Sequence, residues 1–284
     1  MLTNCSRMRL RLIAVSGILL FLGSCSKEVS VENGNNTPGT GGGTNGTNLV
    51  RIGYRLGVDT MTTDYSYNSA NFLNGITYSG TVGGHGGLQT RIVRNASNII
   101  TSQVTKGPLF LVMGIDSFVA TYAYDAAQSR YRYGVTRFSL LGLPVSDSVV
   151  YTYNSNNKLV SGISYYDDGT GYEIDSKEEI TYNGSNIATV KQYTHDGTGF
   201  ELQTTTTFDQ YDTRMNPLQF TADAPVLGML YFYPANNVVK RTTTDHASGT
   251  TESGTIVYTY NTNNRPLKAT STQGAGTSAT YYYQ

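Results

Sequence analysis

Val150-Tyr151-Thr152-Tyr153-Asn154-Ser155-Asn156-Asn157-Lys158-Leu159 returns later in the chain as Val257-Tyr258-Thr259-Tyr260-Asn261-Thr262-Asn263-Asn264-Arg265-Pro266-Leu267. Tyrosines two apart point to one face of a β-strand, the asparagine run is turn chemistry, and Leu159 or Leu267 opens a returning strand. Each stretch therefore predicts one β-hairpin.

With Asn154 as the marker, equivalents fall at Asn68, Asn95, Asp125, Asn183, Asp209, Pro234 and Asn261, roughly 25–30 residues apart. Three positions on stand Asn71, Asn98, Asn157, Asn186, Asn237 and Asn264, with Gln128 and Asp212 in the remaining units. A short hairpin loop ends in a residue with positive φ, and Asn tolerates that region better than other non-glycine residues. Tyrosine pairs precede the marker at Tyr65/Tyr67, Tyr122/Tyr124, Tyr151/Tyr153, Tyr231/Tyr233 and Tyr258/Tyr260. The opposite ends also match, since Asp168-Gly169-Thr170-Gly171-Tyr172-Glu173 is echoed by Asp196-Gly197-Thr198-Gly199-Phe200-Glu201. The unit is strand, Asn turn, strand, Gly turn.

About eight such units predict an all-β fold, a single antiparallel meander of about 16 strands. Sheets of more than roughly ten strands curl, close or split, so the expectation is a strongly curved sheet or partly closed barrel. Leu109–Met113, Phe138–Val145 and Val226–Leu230 are the most apolar runs and are candidate core strands or plugs. No amphipathic helix longer than two turns is evident. The 284 residues include 23 Tyr, 31 Gly and no Trp, a strand-and-turn composition. Lys plus Arg and Asp plus Glu both number 20, which offers nothing to attract nucleic acid.

Arg7, Arg9 and Arg11 precede an apolar run, Leu12 to Leu22, too short to span a bilayer, as in a secretory signal. It ends in Leu22-Gly23-Ser24-Cys25, which resembles the bacterial lipobox, and that resemblance implies lipidation at Cys25. The expected organisation is a lipoprotein signal peptide over 1–24, a lipid-anchored Gly/Asn/Thr tether over 25–48, and a repeat domain over 49–284. A flexible tether of about two dozen residues reaches some 25–30 Å on average. By the same resemblance, Ser26 after the cysteine implies the outer membrane.

The run Tyr-x-Tyr-Asn-x-x-Asn-Lys-Leu at 151–159, with its counterpart at 258–267, resembles the YD repeats of Rhs-type wall and toxin-shell proteins, Asn154 and Asn261 standing where that family has Asp. YD-like repeats behind a lipobox resemble uncharacterised outer-membrane lipoproteins of Bacteroidota. What this implies is a non-enzymatic, lipid-anchored envelope protein whose β-repeat scaffold serves binding or architecture. Its partners would be the membrane, through the anchor, and a glycan or protein. No cofactor is called for.

The alternative function is a surface glycan-binding lipoprotein whose platform is Tyr151, Tyr153, Tyr231, Tyr233, Tyr258 and Tyr260, although packing of aromatic pairs explains the same residues. An integral outer-membrane barrel is disfavoured by the Thr, Asn and charge content of the strands, and a toxin-shell fragment by the stop after Tyr281-Tyr282-Tyr283-Gln284. Asp167, Asp168 and Glu173 are the weak metal candidates, in a spacing that matches no calcium loop. His85, His195 and His246 sit in loop-like contexts without triad or metal spacing, so no catalytic residue is assigned.

Overall fold

The computed structural model describes residues 48–80, 87–217, 223–227, 234–272 and 277–284. Sixteen antiparallel strands run in order around a closed barrel. They are β1 Leu49–Leu56, β2 Asp59–Tyr67, β3 Leu73–Gly80, β4 Leu88–Arg94, β5 Ile100–Lys106, β6 Phe118–Asp125, β7 Arg130–Leu140 and β8 Leu143–Tyr153. Then follow β9 Leu159–Asp167, β10 Glu173–Asn183, β11 Asn186–His195, β12 Phe200–Met215, β13 Asn236–Asp245, β14 Thr251–Tyr260, β15 Pro266–Ser271 and β16 Ser278–Tyr283. A five-residue helix, α1 (Pro108–Val112), interrupts the connection between β5 and β6. The sheet is closed rather than partly closed, because β1 pairs with β16 as well as with β2.

Period-two alternation fixes which side chains enter the barrel. Ile52 lies opposite Thr63 and Tyr281, Tyr54 opposite Met61 and Ala279, and all six are buried. Arg51 and Arg55, on the intervening positions, face water beside Asp64 and Thr60. The interior holds three apolar clusters. The largest joins β1 to β7 and β14 to β16 around Ala224, Val226 and Leu227. Phe110 of α1 packs with Leu88, Ile115, Phe118, Phe138 and Val145 inside the second. Leu159, Ile180, Ile187, Val190, Phe208 and Val238 form the third.

One rim carries the asparagine turns, and four of them share one geometry. The marker amides of Asn68, Asn95, Asn154 and Asn261 donate to the carbonyls of Phe72, Ile99, Lys158 and Arg265 at 2.8–2.9 Å. Each marker side-chain Oδ1 accepts the amides two and four residues on, as with Asn156 and Lys158 at 3.0 Å on Asn154. Asn71, Asn98, Asn157 and Asn264 have φ between 58° and 63°, the conformation expected of them.

The other units depart from the pattern. In the Asp125 turn the positive-φ residue is Ser129, not Gln128, because the loop is one residue longer. Asn183 enters a tighter loop in which Gly184 supplies the positive φ, and Asn186 already belongs to β11. Asp209 marks no turn; it lies within β12, and the chain crosses to β13 only after Met215. The expected strand at Tyr231/Tyr233 falls outside the described residues.

The seam between β16 and β1 is built like these hairpins, although it joins opposite ends of the chain. Tyr283 pairs with Leu49 and Tyr282 with Arg51, bulging at Val50, as Tyr153 pairs with Leu159 and Thr152 with Ser161, bulging at Val160. The Gln284 amide donates to the Asn48 carbonyl at 2.9 Å, the bond the Asn154 amide makes to Lys158.

Neighbouring hairpins are clasped through their tyrosines. The Tyr182 hydroxyl donates to the Leu159 carbonyl at 2.8 Å while Lys158 Nζ sits 4.9 Å from the Tyr182 ring centre. Tyr283 does the same to Pro266 at 2.8 Å under Arg265, and Tyr67 donates to Leu49 at 2.8 Å.

Candidate functional site

The long connection between β12 and β13 returns into the barrel, and its residues Asp223–Leu227 are buried there. Five consecutive strands present side chains to it. Arg94 of β4 pairs with Asp223 Oδ2 at 2.8 Å, and the Tyr131 hydroxyl of β7 donates to Asp223 Oδ1 at 2.8 Å. Gln103 Nε2 of β5 and the Tyr122 hydroxyl of β6 both donate to the Val226 carbonyl, at 2.6 and 2.9 Å. The Tyr151 hydroxyl of β8 donates to the Pro225 carbonyl at 3.0 Å.

Two of the wall residues are also held by groups outside the segment. Arg94 Nε donates to the Leu73 carbonyl at 2.9 Å and Nη1 to the Asn98 carbonyl at 2.6 Å, and the guanidinium lies 5.2 Å from the Phe72 ring centre. Tyr131 Oη accepts the Ile100 amide at 3.0 Å, which aims its own proton at Asp223. Burial pushes the Tyr131, Tyr122 and Tyr151 hydroxyls well above the usual phenol range, so all three are proton donors at any physiological pH.

The tyrosine ladder lines the interior. Tyr151 points at the inserted segment, and Tyr153 is half-buried under Arg130, 4.8 Å from its ring centre. Tyr258 and Tyr260 face inward with ring centres 6.0 Å apart. The Tyr260 hydroxyl donates to Asp212 Oδ2, which also accepts Asn237 Nδ2 at 2.9 Å, and Arg214 covers the ring at 3.8 Å. These four are not an exposed platform, and Tyr231 and Tyr233 lie outside the described residues. Sequence alone could not place them, because tyrosines also occur on the outer face, as at Tyr133 opposite Val150.

A polar strip completes the interior on β10 to β12. Thr204 Oγ1 donates to Gln192 Oε1 at 2.7 Å, and Gln192 Nε2 to Glu178 Oε1 at 2.9 Å. Nearby on β8, Asp147 faces inward opposite Thr136 and Tyr166, and burial, with Asp175 adding repulsion, raises its carboxyl to about 7.

The acidic residues Asp167 and Asp168 cap their own turn. Asp167 Oδ1 accepts the Gly169 and Gly171 amides at 2.8 and 3.0 Å, and Asp168 Oδ1 accepts Thr170 Oγ1 at 2.7 Å. Glu173 starts β10 opposite Tyr166. Among the described residues no three His, Cys, Asp or Glu side chains come together to hold a metal ion. His195 Nδ1 accepts the Gly197 amide at 3.3 Å in its own turn, and His246 Nε2 lies at hydrogen-bond distance, 2.9 Å, from Thr205 Oγ1 of β12; His85 and Cys25 lie outside the described residues.

No protein-family model matches this chain, and no curated protein matches it. Among the solved structures similar in fold are two porin-like proteins. A porin-like protein from Bacteroides uniformis ATCC 8492 has a TM-score of 0.50 and 16% identity, covering 84% of this chain and 99% of its own. A porin-like protein from Bacteroides vulgatus ATCC 8482 has a TM-score of 0.53 and 8% identity, with the same coverage. At such identities the likeness is one of architecture, the closed antiparallel barrel.

Proposed function

We propose that this chain is a non-enzymatic protein of the outer membrane, tied to the bilayer by a lipid on Cys25, with its barrel standing in water. The observation that carries this reading is the outer face. A membrane-spanning barrel needs an outward apolar band about 25 Å tall, and Lys or Arg at its mid-depth costs about 2–4 kcal/mol each. Here the outward positions carry Arg51 and Arg55 on β1, Arg91 on β4, Arg137 on β7, Lys177 and Glu179 on β10, Lys191 on β11, Lys240 on β13 and Lys268 on β15. These charges are spread over seven of the sixteen strands. The clustered apolar and aromatic side chains are inside, where they pack the interior in place of an aqueous lumen.

On this reading the hairpin is a YD-like repeat, used about eight times when the seam is included, and the fold serves as a rigid envelope scaffold. Several acyl chains anchor stably where one does not, so the anchor, not the strands, holds the protein at the membrane. The test is a chain of residues 47–284 made without the signal. It stays in solution without detergent if the reading is right, and the full chain with Cys25→Ala leaves the membrane fraction. Should residues 47–284 need detergent to remain dispersed, the barrel belongs in the bilayer and the proposal fails.

A further inference from the structure

We propose that the inner wall of β4 to β8 is a peptide-binding seat, occupied in this chain by its own residues Asp223–Leu227. Three observations carry this. First, the barrel closes through strand pairing all the way round, and none of that pairing involves the segment. The segment is therefore held by side chains of the wall and by apolar packing, not by the hydrogen bonds of the sheet.

Second, the wall is set for a carboxylate before one arrives. Arg94 is held by the carbonyls of Leu73 and Asn98 and by the ring of Phe72, and Tyr131 by the Ile100 amide, so both are oriented inward by contacts other than those to Asp223. Preorganised donors of this kind bind with little ordering cost. Third, the remaining contacts are to main-chain oxygens. Gln103, Tyr122 and Tyr151 grip the carbonyls of Pro225 and Val226, groups that any peptide offers. The apolar side chains Ala224, Val226 and Leu227 fill the space beneath.

The ligand class is thus a short peptide with an acidic side chain followed by small and branched apolar residues, folded into one turn as the Val226 amide folds back to the Asp223 carbonyl at 3.0 Å. The seat discriminates by a charge-assisted pair at one point and by main-chain acceptors beyond it.

The full chain carrying Asp223→Ala opens the charged half of the seat. Thermal unfolding is then followed with added acetate, with the end-blocked pentapeptide Asp-Ala-Pro-Val-Leu, and with the same peptide scrambled. The expected result is a saturable rise in Tm from the pentapeptide at a concentration about tenfold or more below that of acetate, the margin that extra hydrogen bonds supply. The scrambled peptide, the unmodified chain, and the double variant Arg94→Met with Asp223→Ala should not respond. If acetate serves as well as the peptide, or neither acts, the seat does not recognise a peptide. A variant that cannot be refolded even with the pentapeptide present also overturns the proposal, since the segment would then be core.

Discussion

At one rim of the barrel, the turns at Asn68, Asn95, Asn154 and Asn261 repeat one set of hydrogen bonds and reach sideways to their neighbours. Asn68 Nδ2 donates to Asn98 Oδ1 at 3.3 Å, and Arg130 Nη1 to Asn157 Oδ1 at 3.3 Å. At the other rim the connections vary in length and bonding. Gly57 and Val58 join β1 to β2, Leu141 and Gly142 join β7 to β8, and an eleven-residue excursion with α1 joins β5 to β6. Their polar groups are mostly satisfied within the turn, as where Asp196 Oδ1 accepts Thr198 and Gly199 amides at 2.7 and 2.9 Å. The asparagine rim sets register and couples hairpins. The glycine rim only returns the chain, and so it has room for insertions.

The largest expected departure comes where the coupled rim meets the inserted segment. Arg94→Met leaves Asp223 buried without its cation, and breaking a buried pair costs about 3–5 kcal/mol; urea unfolding should show it as a lower midpoint. A loss well under 1 kcal/mol would mean that the rim and the segment are energetically separate.

Next in size are the turns themselves. Asn154→Ala removes the acceptor of two backbone amides and should cost about 1–2 kcal/mol, in the range of a lost cap. Asn264→Gly, at φ 58° in the matching turn, should be close to neutral. If both changes are equally harmful, the shared turn geometry does not explain the asparagines. Tyr182→Phe deletes the clasp to Leu159 and should cost about 1 kcal/mol. Amide exchange would then rise at Leu159 and its neighbours, across the hairpin boundary.

A pH-dependent effect concerns the interior toward the glycine rim, where Asp147 has a carboxyl raised to about 7 from an unfolded value of 3.8. The native state holds that proton more tightly, so its contribution to stability is complete below about pH 3.8 and is lost as pH rises through 7. Asp147→Asn should flatten the pH dependence in that window, and the variant should gain on the unmodified chain toward pH 8. An unchanged pH profile would place Asp147 in contact with water.

What the sequence makes legible follows the range of the interaction. Alternation and turn chemistry are local, so the strand end at Val150–Tyr153 and the turn at Asn154 can be read directly, whereas the apolar run Phe138–Val145 hides the turn at Leu141 and Gly142. The matched Gly turns also hold, because Asp168 and Asp196 each accept the hydroxyl of the threonine two residues on, at 2.7 and 2.8 Å. Asp209 misleads because Thr207-Phe208-Asp209 imitates the end of a strand while β12 continues to Met215. The inserted segment is legible only in part: the apolar run from Val226 reads as a candidate core strand or plug, and Val226 and Leu227 are buried inside the barrel, but its polar seat cannot be read. Its partners Arg94, Gln103, Tyr122, Tyr131 and Tyr151 are each ordinary strand residues, and only closure of the sheet gathers them around Asp223.

The seam of β16 and β1 bears on how the ring relates to the order of the chain. Since Gln284 and Asn48 stand as Asn154 and Lys158 do within a continuous turn, the cut could be moved. A circularly permuted chain, with residues 284 and 48 joined by a short loop and new ends opened between Ser155 and Asn156, should reproduce the same ring, because any of its asparagine turns can serve as the place where a linear polymer starts and stops.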